Sequence, residues 1–226
     1  DGRNIRILRT NKQNSHSLFC NNIMRLTGDG KGKIYILCTD GVAEYDLRTE
    51  LFTTLLEEEH VRAIAYSDSL YVARGNAILR YEPADSSWRE YLKVPESAEN
   101  INHMLFLPDR GELWIGTDRG VYVRRDRNAP QLIIPDCKTT QIYRSDDDRI
   151  WVGSWEDGIY IVSPDGTVRN IRRSASADGL HSAFVRCFCQ DDKGRMWIGT
   201  FDGLCVTDSA ARHFDTYVHG DDPSDL

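Results

Sequence analysis

Gly194–Leu204 reads GRMWIGTFDGL, and the phrase recurs as GELWIGTDRGV at Gly111–Val121 and as DRIWVGSWEDGI at Asp148–Ile159, one residue longer. One such hairpin says little. Three related copies point to a repeat architecture, the signal that decides a fold before any other. Taking the aromatic residue as marker extends the series to Tyr35, Tyr71, Trp114, Trp151 and Trp197, at intervals of 36, 43, 37 and 46 residues. A period of about 40 residues is the length of one four-stranded propeller blade. A small residue stands six positions after the marker: Gly41, Gly120 and Gly203, with Ala77 in the second copy and Gly158 displaced by one in the fourth.

Each copy reads as four short strands. An apolar run such as FVRCFCQ comes first, then a polar turn holding Asp or Gly, the aromatic strand, a tight turn, a third run such as VYVRR and a fourth such as QLIIP. Short alternating runs separated by Gly, Asp, Asn and Ser are strand chemistry. No segment keeps a 3.6-residue apolar period over ten residues. The fold class is therefore all-β, a β-propeller built of four-stranded antiparallel blades. About five blades are expected, over 18–56, 61–94, 101–134, 139–174 and 183–218. Residues 1–10 read as the outer strand of a preceding blade and 219–226 as the start of a further repeat. An incomplete propeller is expected, completed by the remaining blades or by self-association. The marker aromatics should fill the space between adjacent blades, with a polar atom free to reach a partner. The glycines should let the chain reverse tightly into the third strand.

Composition narrows the function. Lysine and arginine number 28 against 35 acidic residues, a net charge of -7, and no basic run stands out. A nucleic-acid partner is not expected. No stretch approaches 18 consecutive apolar residues, so no transmembrane helix and no direct membrane contact are expected in this segment. The six cysteines show no C-x-x-C spacing. They read as buried free thiols, with Cys187 and Cys189 packing from one strand face.

The phrases DDKGRMWIGTFDGL and DRGELWIGTDRGV, together with upstream runs such as FVRCFCQ, resemble the two-component-regulator propeller repeat. That repeat builds the sensor region of hybrid two-component system histidine kinases of glycan-degrading gut bacteria. The resemblance implies a periplasmic segment of an inner-membrane receptor. Such a segment recognises a polysaccharide-derived oligosaccharide and regulates carbohydrate-utilisation genes, through a kinase that is not part of this chain. On that reading the chain itself is not an enzyme. Five copies are fewer than the family's seven-bladed propellers need, and the second lacks the Trp and the usual glycines.

Catalytic chemistry finds little support in the residues. Asp146–Asp148 and Asp191–Asp192 fall in first hairpin turns, where Asp accepts bonds from nearby amides. The six histidines form no H-x-H or H-x-x-x-H pair, and no EF-hand, P-loop, G-x-G-x-x-G or G-x-S-x-G pattern occurs. No metal, cofactor or catalytic residue is assigned. An alternative is carried by D-x-G-x-x-W at Asp109–Trp114 and Asp192–Trp197, the latter half of the Asp-box of sialidase-like propellers. It would make the chain a propeller glycosidase or lyase. A protein-interaction propeller is a further alternative, without the Trp-Asp pair of WD40 repeats. In a meander, the loops between blades and the turns between second and third strands share one rim. That rim collects Arg74, Arg119, Trp155 and Phe201, with His181 from a long inter-blade loop, as candidate ligand-binding residues. Sugars stack their C–H faces on exposed aromatics, while Arg holds hydroxyl or carboxylate groups.

Overall fold

The computed structural model describes residues 6–11, 13–14, 16–176 and 179–218. The chain is a β-propeller of four-stranded antiparallel blades, in two compact units spanning 1–96 and 97–226. The first unit holds two blades. One is β1 (Ile23–Gly28), β2 (Lys33–Cys38), β3 (Gly41–Asp46) and β4 (Leu51–Glu57); the other is β5 (Val61–Tyr66), β6 (Leu70–Arg74), β7 (Ala77–Glu82) and β8 (Ser87–Lys93). The second unit holds three. The third blade is β9 (Ile101–Leu107), β10 (Glu112–Thr117), β11 (Gly120–Arg125) and β12 (Gln131–Pro135). The fourth is β13 (Thr139–Arg144), β14 (Ile150–Ser154), β15 (Ile159–Val162) and β16 (Val168–Ile171). The fifth is β17 (Val185–Gln190), β18 (Met196–Thr200), β19 (Gly203–Thr207) and β20 (Asp215–Tyr217). Every sheet follows chain order, each strand pairing antiparallel with the next.

The five marker aromatics all lie on the second strand of their blade. Tyr35, Tyr71, Trp114 and Trp151 are buried. In the first unit, Tyr35 joins Val61, Ile64 and Val72 in one core and stacks on Tyr66, ring centroids 5.5 Å apart. In the second, Trp114 packs with Ile142, Ile150 and Val152 of the next blade, and Trp151 with Val185, Phe188 and Ile198. Trp197 is only half-buried; it stacks on Tyr217 and carries the Arg195 guanidinium 5.2 Å from its centroid.

The rest of the repeated phrase has a local cause. The hydroxyl ending the second strand pins the following turn. Thr117 Oγ1 donates to the Gly120 carbonyl (2.7 Å) and accepts from the Arg119 amide (3.2 Å). Thr200 does the same for Gly203 and Asp202, and Ser154 for Gly158 and Asp157. The glycine before it marks close blade packing: a Cβ at Gly116 would collide with Thr139 of the next blade. Gly41 and Gly203 open the third strand rather than forming the turn, with φ of 139° and 138°. A Cβ on either would overlap a fourth-strand carbonyl, that of Leu56 or Tyr217. Close approach of the fourth strand, not the reversal alone, demands glycine there.

The aspartates of the first turns are structural. Asp191 accepts from the Lys193 and Arg195 amides (3.0 and 2.9 Å), from Arg195 Nε (2.8 Å) and from the Trp197 indole (3.0 Å). Asp148 pairs with Arg144 (2.6 Å) and Arg110, and Asp147 accepts from Ser145 Oγ. The Asp of D-x-G-x-x-W does not hold the tryptophan in either copy. Asp191, one residue earlier, holds Trp197, and Glu112 accepts from the Trp114 indole at 2.9 Å.

The Trp197 indole, then the Arg195 amide and guanidinium, keep the Asp191 carboxyl well below the usual carboxylate range. A lowered folded-state value means that the charged group contributes stability above the ordinary carboxyl value of about 4. That contribution disappears as pH falls from there toward the folded-state value. Asp191→Asn is therefore expected to flatten the acid limb of stability between about pH 4 and 2. Urea midpoints measured across that range check it; a variant losing stability in acid as steeply as the parent would contradict it.

All six cysteines are free, and Cys20, Cys38, Cys137 and Cys205 are buried as expected. Cys187 and Cys189 are exposed instead, on the β17 face that no described strand covers. Residues 6–9 carry no strand and Thr10 makes an isolated parallel bridge to Leu18. The rest of the segment read as an outer strand, 1–5, and the segment 219–226 lie outside the described residues.

Candidate functional site

Two recurrent backbone features build the rim on which the candidate residues sit. The first is a hydrogen bond from the residue after the second strand to the residue before the first. It runs from Thr39 to Asn22, Asp118 to Asn100, Trp155 to Lys138 and Phe201 to Phe184, at 2.9–3.2 Å. The second is a β-bulge near the start of the first strand. The ladder with the second strand skips Met24, Arg62, Asn102, Thr140 and Arg186 in the five blades. A bulge bends the strand and re-aims the extra side chain. The four blades with both features thus present three neighbouring rim positions: turn residue, pre-strand residue and bulge residue.

In the third blade these positions are polar and mutually satisfied. The Asp118 carboxylate accepts from Asn100 Nδ2 (2.8 Å) and Asn102 Nδ2 (2.9 Å). The fourth blade places Trp155, Lys138 and Thr140 there, and the fifth Phe201, Phe184 and Arg186. The result is an aromatic triad. Ring centroids are 6.0 Å apart for Trp155–Phe184, 6.2 Å for Trp155–Phe201 and 6.2 Å for Phe184–Phe201, at steep mutual angles. Edge-to-face and tilted contacts of this kind are favourable for aromatic rings. Phe201 is 66% exposed and Phe184 37%, while Trp155 is half-buried. The Arg186 guanidinium lies 5.4 Å from the Trp155 centroid and 6.0 Å from that of Phe201; Lys138 Nζ lies 5.8 Å from Trp155. Both cations are within cation–π range.

Of the residues singled out from sequence, the structure brings Trp155 and Phe201 together. The others have separate engagements. Arg74, in the first unit, pairs with Glu58 at 2.7 Å, and Arg119 in the second pairs with Glu99 at 2.7 Å. His181 is exposed, and its carbonyl accepts from Arg173 Nε. Phe184, Arg186 and Lys138 were missed. Their signal was positional: Phe184 and Lys138 stand where the first and third blades have Asn22 and Asn100, and Arg186 where the third and fourth have Asn102 and Thr140, which shows only once bulges and pre-strand residues are aligned.

The first unit also has a cavity of about 300 Å³ lined by Tyr35, Tyr66, Tyr81 and the Lys33–Glu44 pair. Its charged groups are already engaged, Lys33 Nζ meeting Glu44 at 2.7 Å and Asp68 accepting from the Tyr71 hydroxyl at 2.8 Å. Among the described residues no group of three or more His, Cys, Asp or Glu side chains is placed to hold a metal ion.

A profile of the family described as two component regulator propeller matches residues 179–202, which run from the loop before β17 to the turn after β18. No curated protein matches the sequence. Among solved structures, the fold matches the extracellular domain named for hybrid two component system BT3049 of Bacteroides thetaiotaomicron. That match has a TM-score of 0.75 and 18% identity, covering 87% of this chain and 28% of that one. The corresponding domain named for BT4673 gives 0.73 and 19%, covering 92% and 29%. The chain thus spans less than a third of either. Virginiamycin B lyase from Staphylococcus aureus shares the fold at a TM-score of 0.67 and 15% identity, covering 89% of this chain and 71% of the lyase.

Proposed function

We infer, from a chain that carries a two component regulator propeller repeat in its fifth blade, that it is a ligand-sensing segment of a hybrid two-component sensor. Its likeness to the extracellular domains of two such systems supports this reading. The segment lies outside the cytoplasm, on the periplasmic side of an inner-membrane receptor. Its ligand is an oligosaccharide released from a polysaccharide. Occupancy is relayed to a kinase beyond this chain and ends in the regulation of carbohydrate-utilisation genes. Further blades or a second copy complete the propeller.

The observation that carries the reading is the Trp155–Phe184–Phe201 triad, with the Phe201 ring 66% exposed on the rim. Pyranose rings offer apolar C–H faces edged by hydroxyls, and an exposed ring matches the one while nearby donors match the other. The triad supplies stacking surface and charge rather than a nucleophile or a proton-transfer pair, which favours recognition over bond cleavage.

The test is a glycan array probed with the chain, followed by calorimetric titration of the best oligosaccharide. Phe201→Ala is expected to weaken binding about tenfold or more, equivalent to about 1.4 kcal/mol, without changing the melting temperature. Binding of no oligosaccharide, or affinity indifferent to Phe201→Ala and Trp155→Ala together, would refute the reading.

A further inference from the structure

We propose that the triad selects acidic oligosaccharides, those bearing a uronate carboxylate or a sulfate group, over neutral ones of the same backbone. The proposal rests on the reading of the triad as a saccharide site and specifies the class of sugar it takes.

The argument starts from what the rim positions exchange between blades. In the third blade they hold one carboxylate, Asp118, gripped by Asn100 and Asn102. In the fourth and fifth blades the carboxylate position becomes Trp155 and Phe201, and Lys138 and Arg186 enter beside them. At those positions an aromatic ring replaces the carboxylate and two cations stand beside the rings, in a chain whose net charge is -7, while the turns keep Glu156, Asp157 and Asp202 one or two residues further on.

These cations differ from the other basic residues on the rim. Arg74 and Arg119 are each tied to a glutamate at 2.7 Å. Lys138 and Arg186 form no ion pair among the described residues and instead lie over the Trp155 ring at 5.8 and 5.4 Å. The carboxylates on the same turns pair with neither cation: Asp202 accepts from Ser182 Oγ at 2.7 Å, Asp157 lies 3.9 Å from Arg172, and Glu156 is exposed. Leaving the cations unpaired is not a packing requirement, since both side chains are exposed.

A guanidinium lying over a ring uses its face and keeps its in-plane N–H fork open at the edge. That fork is the geometry that recognises a carboxylate or sulfate through two parallel hydrogen bonds. An acidic sugar presents the complementary pair, an apolar face for Phe201 and an equatorial anionic group at its rim. The ammonium of Lys138, anchored on the same tryptophan, adds a second charge without directional demand. A neutral sugar would offer the stacking face and hydroxyl acceptors but leave both positive charges without a counter-charge.

The test is an array of matched oligosaccharides: neutral, uronate-bearing and sulfated members of one backbone, and polyglutamate as an acidic peptide. Uronate or sulfated members are expected to bind at least tenfold more tightly than the neutral member, with affinity falling as salt rises. The double variant Lys138→Gln/Arg186→Gln should reduce that preference to less than twofold, the acidic members losing far more affinity than the neutral one. Phe201→Ala should weaken acidic and neutral members alike. Equal binding of neutral and acidic members, or a preference that survives the double variant, overturns the proposal; if such binding is still lost in Phe201→Ala, the saccharide reading stands. Polyglutamate binding as tightly as the acidic sugars also overturns it. Binding of nothing on the array removes the saccharide reading itself. Both substituted side chains are exposed, so thermal melting of the double variant should match the parent.

Discussion

Trp151→Ala should destabilise the second unit by about 3–5 kcal/mol, the range for removing a fully buried tryptophan. Its side chain is 0% exposed, and it meets Phe188 of the next blade edge-on at a centroid distance of 6.0 Å. Val185, Ile198 and Met196 complete the surroundings. These neighbours sit on strands held in register by their own ladders, so they cannot collapse into the vacated space, and the cavity term adds to the transfer term. Trp151→Phe sharpens the test. The indole Nε1 is buried without a hydrogen-bond partner among the described residues, so phenylalanine loses volume but also removes an unsatisfied donor. It should cost less than half of the alanine loss. Urea unfolding followed by far-UV circular dichroism checks both. An alanine variant as stable as the parent would mean that this ring does not cement the fourth and fifth blades.

Gly41→Ala should cost about 2–5 kcal/mol in the first unit, from backbone strain and overpacking together. The strain follows from a φ of 139°, and the overpacking from a Cβ that would enter the Leu56 carbonyl. Backbone on the far side cannot give way as a flexible side chain would. Gly30→Ala is the control. It too has positive φ, at 68°, but an added Cβ would meet nothing within 4 Å. Its cost should be limited to the left-handed penalty of about 1–2 kcal/mol. Equal losses at the two positions would show that dihedral preference alone demands glycine, and the close approach of β4 would then count for nothing.

The period of the repeat was legible because the same physical problem is solved five times. Within each unit a blade fills the gap to the next from its second strand, as Tyr35, Trp114 and Trp151 do, and Tyr71 and Trp197 stand at the same strand position in their copies. Strand chemistry, turn residues and the absence of helical periodicity are equally local, so the four-stranded meander and its order followed from them. The conserved-looking glycine was legible as a position but not as a cause. Its constraint comes from a strand 14 or 15 residues further on, Leu56 for Gly41 and Tyr217 for Gly203.

The site divides along the same line. Trp155 and Phe201 stood out because both occupy the turn position that Asp118 fills in the third blade, and comparison of copies needs only sequence. Phe184, Lys138 and Arg186 did not, because their places depend on a bulge and on a turn-to-loop hydrogen bond that pairing alone creates. Arg74 and Arg119 looked equally available in the sequence until Glu58 and Glu99 were found beside them. The amino-acid sequence by itself determined the repeat, the blade and the ring on each second strand, since these rest on residue volume and local backbone preference. Tertiary structure decided which rim side chains meet and which charges stay unpaired, since both depend on contacts between blades whose residues lie up to 46 positions apart, as for Trp155 and Phe201.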